Sequence, residues 1–89
     1  MEYMKRSVLI SGTAKEYLSL LKSLNALDVS IVARRIKELE NCDNNSRSFE
    51  LITDIRIADI SGYRIVYRSF KTEAKVMRIE AIPVFVNLF

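Results

Sequence analysis

Hydrophobic positions along this chain follow a helical period in its first half and an alternating one in its second. RSVLI, residues 6–10, reads as a short strand. SGTAKE follows as a helix start, with Thr13 and Glu16 at the spacing of a capping box. Ala14, Tyr17, Leu18, Leu21 and Leu24 then recur on one helical stripe. A break at residues 25–28 offers Asn25 or Asp28 as the cap of a second helix. That helix carries Val29, Val32, Ala33, Ile36 and Leu39 on one face, with Arg34, Arg35, Lys37, Glu38 and Glu40 around the rest. So short a joint predicts an antiparallel helical hairpin whose two stripes are core.

NCDNNSRS, residues 41–48, is polar and reads as a loop. Beyond it the period becomes two. FELITDIRIAD sets Ile55 and Ile57 against Asp54, Arg56 and Ala58. Ser61 and Gly62 mark a turn. YRIVYR sets Tyr63, Ile65 and Tyr67 against Arg64, Val66 and Arg68. FKTEAK is a polar connection, and KVMRIEAI sets Met77, Ile79 and Ala81 against Val76, Arg78, Glu80 and Ile82. Three strands with short connections predict an antiparallel meander. The expected order is β-α-α-β-β-β, an α+β fold with the hairpin on one face of a small antiparallel sheet and the other face open. Residues 1–89 read as one domain. Residues 83–89 form an apolar tail, in which Val84, Phe85, Val86, Leu88 and Phe89 follow Pro83. Such a tail is either buried in the domain or offered to a partner, a second copy of the chain included.

Composition narrows the chemistry. The 89 residues include no histidine, which removes Ser–His and Cys–His nucleophile pairs and the usual zinc ligand sets. No metal or cofactor is expected. Cys42 is the sole cysteine, so no intramolecular disulfide can form, which suits a reducing compartment. The start is too short in apolar residues for a signal peptide, and no stretch approaches the ~20 apolar residues of a membrane span. The expectation is a cytoplasmic protein without a membrane partner.

The net charge of +3 permits an anionic partner without demanding one. Its distribution is more telling. With the apolar set turned to the helices, Arg56, Arg64, Arg68 and Arg78 face water on adjacent strands, with Asp54 and Glu80 among them. Guanidiniums so grouped suit phosphate, which they bind through paired hydrogen bonds. They could position a nucleic-acid backbone, and a positioned arginine could stabilise charge developing at phosphorus during cleavage. Arginine is a poor proton acceptor, so cleavage would need another base, with Glu80 or Asp54 nearest. The alternative reading stands beside this one: solvent-facing Arg and Glu on strands often serve only as cross-strand pairs.

The segment DIRIADISGYRIVYR followed by KVMRIEAI, with the opening SGTAKEYLSLLKSL, resembles the RelE/ParE toxins of bacterial and archaeal toxin–antitoxin pairs. The resemblance spans roughly residues 6–82 and is most specific at SGYRIVYR, residues 61–68. It implies a toxin neutralised by a cognate antitoxin that wraps it as a helix or added strand. In the RelE branch it implies cleavage of messenger RNA on the ribosome, by attack of the 2′-hydroxyl on the adjacent phosphorus without metal or cofactor. Arg64 matches the family's arginine on the second meander strand. Arg56 matches a basic position on the preceding strand, and a second basic position there falls near Asp54, with the charge reversed. Arg56 and Arg64 would be catalytic, with Glu80 as a further candidate, and Arg68 and Arg78 would add to RNA binding. After the last strand the family's ribonucleases place an Arg or His and then an aromatic hydroxyl. Here that place holds IPVFVNLF, and Arg78, earlier on the last strand, would be the spatial substitute. Two alternatives are a ParE-like inhibitor of DNA gyrase and a toxin-fold binding module without catalysis.

Overall fold

A single residue joins the two helices. In the computed structural model, which describes residues 5–41, 43, 46–49 and 52–83, helix α1 spans Gly12–Leu24 and helix α2 spans Ala26–Glu38. Asn25 serves both. Its backbone N–H donates to the Leu21 carbonyl that ends α1 (2.7 Å), and its side-chain oxygen accepts from the Asp28 N–H that opens α2 (3.1 Å). The start of α1 differs from the expected capping box. Ser11 is the cap: its Oγ accepts from the Ala14 N–H and donates to the Met77 carbonyl at 2.6 Å. One hydroxyl thus satisfies a helix-end donor and ties the helix to a strand.

The strands are β1 (Ser7–Ile10), β2 (Ser46–Phe49), β3 (Ile52–Ile60), β4 (Tyr63–Ser69) and β5 (Glu73–Ala81). They form one sheet in the order β1-β5-β4-β3-β2. The α+β architecture is as expected, with two differences. β1 runs parallel to β5, so the sheet is mixed. The stretch read as a loop supplies β2, which adds an edge strand beyond the expected meander. Its Ser46, Arg47 and Ser48 have no apolar stripe to reveal them, because an edge strand can be held by its ladder and side-chain hydrogen bonds.

The helices cover one face. Ala14, Leu21, Val32, Ile36 and Leu39 meet Ala58, Ile65, Tyr67, Ala74, Val76 and Ile79 in the core, with Val8, Ile10, Tyr17, Leu18, Val29, Ile60 and Tyr63 packed around them. Leu24, placed on the α1 stripe by spacing, is 75% exposed, and Ala33 of α2 is exposed too. Arg35, expected on the outer side, is buried and reaches Glu38 at 3.4 Å.

The first meander strand faces the opposite way from the sequence expectation. Ser61 and Gly62 form a two-residue turn with φ of 46° and 82°, the positive values that a tight hairpin favours. This turn sets Ile60 directly across from Tyr63, and the ladder continues as Ala58 with Ile65 and Arg56 with Tyr67. Directly paired residues share a face. Ala58 and Arg56 therefore lie on the helix side, and Asp54 shares their alternation. Ile55, Ile57 and Asp59 lie on the open side with Arg68, Val66 and Arg64. A bulge in β5 makes a second correction. Val66 pairs with Arg78 and Tyr67 with Val76, leaving Met77 extra. Val76 consequently joins Ile79 in the core instead of opposing it.

Asp43 fastens the loop after α2 to the sheet. It accepts from Arg6 Nη2 (2.6 Å), the Tyr67 hydroxyl (2.8 Å) and the Ser69 hydroxyl (2.6 Å). Arg6 also donates to the carbonyls of Leu39 and Phe70 and to Ser69, which satisfies a guanidinium whose side chain is only 8% exposed. Burial pushes the Asp43 carboxyl up. The Ser69, Arg6 and Tyr67 hydrogen bonds and the Arg6 charge outweigh that, so it sits below its ordinary range.

Candidate nucleic-acid interface

The open face of the sheet joins apolar and cationic side chains. Ile57 and Val66 are direct partners near its centre and are 5% and 3% exposed. Their other ladder neighbours are arginines, Arg47 beside Ile57 and Arg78 beside Val66, whose aliphatic stems can shield apolar surface while the charged ends reach water. Ile55, Val66, Met77 and Arg78 line a hollow of about 150 Å³.

Carboxylates hold part of this charge. Asp59 lies 2.9 Å from Arg47 Nη2 and 3.6 Å from Arg64 Nε. Glu80 lies 3.7 Å from Arg64 Nη1 and 3.8 Å from Arg78 Nε. Of these contacts only the one between Arg47 and Asp59 is close enough to be a hydrogen bond. Arg64 Nε is buried without a hydrogen-bond partner among the described residues. Burial closes Nε to an outside acceptor, so a phosphate would be met by the terminal Nη donors of this guanidinium, whose side chain is 35% exposed.

The predicted site divides accordingly. Arg64, Arg68, Arg78 and Glu80 share the open face. Arg56 does not. Its Nε donates to Ser46 Oγ (3.0 Å) and its Nη2 to the Ser46 carbonyl (3.1 Å), and Nε lies 3.7 Å from Asp43 on the helix side. Asp54 is likewise turned from the other candidates. Where a cation was expected from β3, the open face has Ile55 and Ile57. The tail residues Val84, Phe85, Val86, Leu88 and Phe89, and Cys42, lie outside the described residues.

Spacing alone missed two cations. Arg47 was hidden in the presumed loop. Lys75, directly across from Arg68, stands where FKTEAK meets KVMRIEAI, and the alternation assigns it to neither side. The two-residue turn was the signal available for both β3 and Arg56, because it fixes Ile60 opposite Tyr63 and every later pair with it. Among the described residues no group of His, Cys, Asp and Glu could hold a metal ion. No described helix is long and apolar enough to cross a membrane.

No protein-family model matches the sequence, and a search of curated proteins finds none similar to it. The fold does have a solved counterpart. A chain of the toxin–antitoxin complex RelBE2 from Mycobacterium tuberculosis superimposes with a TM-score of 0.73 over 90% of this chain and 94% of that one, at 16% identity. With two helices on one side of a five-stranded mixed sheet, the chain has a RelE-like fold.

Proposed function

We propose that this protein is the toxin of a toxin–antitoxin pair, and that its open sheet face binds RNA and cleaves it without a metal. The observation that carries the reading is the placement of Arg64, Glu80 and Arg78 side by side on β4 and β5. A scissile phosphate set against Arg64 and Arg78 would gain charge-assisted hydrogen bonds that strengthen as charge develops at phosphorus. Glu80, between them, is the group able to accept the 2′-hydroxyl proton. Attack of that hydroxyl forms a cyclic phosphate and expels the 5′-oxygen of the next nucleotide, which takes a proton from water or from the acid form of Glu80. The ribosome would supply message in a strained conformation, and a cognate antitoxin would occlude the face.

The structural counterpart comes from a toxin–antitoxin complex, which supports the antitoxin partner. The cations of the open face support the anionic target. Inducing the chain alone in a bacterial host tests the reading. Translation and growth should stop, and Arg64→Ala should restore both. Undiminished toxicity in that variant would contradict the role given to Arg64.

A second reading has its own observation. The β3 positions on the open face are Ile55, Ile57 and Asp59, so this side of the RNA site would be apolar or acidic, without a cation. That surface suits a toxin which arrests a protein target such as DNA gyrase, or a toxin-fold module that only binds. Growth arrest with intact messenger RNA would select the first of these, and normal growth the second.

A further inference from the structure

On the open face, toward the end of β4 away from the Arg64 and Glu80 pair, a cleft of about 520 Å³ is lined by Ser11, Thr13, Arg68, Phe70, Lys75 and Met77, with Glu73 at its wall. Three features set it apart from the rest of the open face. First, Arg68 and Lys75 are direct cross-strand partners, a like-charge pairing that opposes sheet formation. Second, Arg47, Arg64 and Arg78 are each held by Asp59 or Glu80, whereas neither Arg68 nor Lys75 has an ion pair among the described residues. An arriving anion would break no existing pair here. Third, Phe70 is 42% exposed although its backbone is fixed. Its N–H donates to the Glu73 carbonyl (2.8 Å), and its own carbonyl accepts from the Arg6 guanidinium (3.1 Å).

We infer that this cleft is a nucleotide subsite, in which Phe70 stacks an unpaired base and Arg68 and Lys75 hold its phosphate. The inference rests on the reading of the open face as an RNA surface and deepens it by naming single-stranded RNA as the form bound. An exposed aromatic ring on a fixed backbone, beside cations that lack counter-charges, is the combination by which proteins hold single strands with little sequence preference. A rigid duplex cannot turn a base onto Phe70. Arg68 lies four residues along β4 from Arg64, about 13 Å in an extended strand, so the subsite would bind a nucleotide a short distance along the RNA chain from the scissile phosphate. Glu73 opposes the phosphate from the cleft wall and would limit affinity.

Fluorescence anisotropy of a labelled short single-stranded oligoribonucleotide, titrated with the full chain, tests this. Phe70→Ala should weaken binding about tenfold. Arg68→Gln and Lys75→Gln should each lower the salt dependence by about 0.7, and Glu73→Gln should tighten binding. If Phe70→Ala fails to fold, the exposed Lys75→Gln decides alone. Parent-like binding by Phe70→Ala and Lys75→Gln, with binding lost in Arg64→Ala, would overturn the subsite while leaving the sheet face as the RNA surface. A parent chain that binds no RNA would overturn both. Displacement of the RNA by oligoglutamate, with Phe70→Ala binding the peptide as the parent does, would assign the cleft to an acidic partner segment and overturn the inference as well.

Discussion

Arg56 is the direct cross-strand partner of Tyr67, and Tyr67 is wholly buried in the core shared with the helices. That pairing places the guanidinium under the loop after α2, among Ser46, Ser48 and Asp43, and away from the other arginines. These contacts support a structural role for Arg56, which a substitution can test. Arg56→Gln should cost about 1–2 kcal/mol of unfolding free energy, measured by urea denaturation. RNA affinity should stay within roughly twofold of the parent, since the groups removed lie on the other face.

Asp43 offers a pH test. Its carboxyl is lowered from 3.8, so the folded form binds this proton less readily than the unfolded chain. The stabilisation is present above the unfolded value and is lost as pH falls through the folded one. Parent stability should decline below about pH 4, and Asp43→Asn should lack that part of the decline. At neutral pH the variant should be less stable by about 2–3 kcal/mol, because Arg6 keeps its charge in a largely buried position without the carboxylate. Equal stability of the two proteins at neutral pH would refute the fastening role of Asp43.

Tyr63 gives the alkaline counterpart. Its hydroxyl donates to Asp28 at 2.6 Å, joining β4 to the first turn of α2. That hydrogen bond, then burial and the Asp28 charge, push the phenol from 10.0 to about 12. The contribution is present below pH 10 and lost as pH rises toward about 12. Ultraviolet titration should show two late-ionising tyrosines, Tyr63 and Tyr67, whose phenol burial also pushes up, and Tyr63→Phe should remove one of them. A titration unchanged by that substitution would refute the assignment.

The helices and the meander were legible in the sequence because their periods differ and because Asn25, Ser61 and Gly62 punctuate them. The facing of β3 was not, since this strand is apolar on both sides. Ile55 and Ile57 alternate with Ala58 and Ile60, and a period of two cannot say which set meets the helices. Val76 was misplaced because a bulge leaves no compositional mark, and β2 because Ser46, Arg47 and Ser48 read as loop. The candidate site inherited these errors: Arg64, Arg68, Arg78 and Glu80 remain together, and Arg56 leaves them.

The corrected facing makes β3 an engineering test. Ile55 lines the hollow with Val66, Met77 and Arg78 and is only partly buried. Ile55→Lys adds a cation to the side of the face that has none from this strand. RNA affinity at low salt should rise about fivefold, and the salt dependence should steepen by about 0.7. Ala58→Lys, on the core side, should instead unfold the protein, since its position is wholly buried. Equal effects of the two substitutions would contradict the assigned facing.

Mapping message ends tests whether Arg64, Glu80 and Arg78 form an RNA-cleaving face. Primer extension on a translated messenger RNA, after induction of the chain without its antitoxin, should reveal new ends that require ribosomes. Those ends should disappear with Arg64→Ala and with Glu80→Gln and persist with Arg56→Gln. Intact message during full growth arrest would contradict the claim and turn the open face toward a protein target.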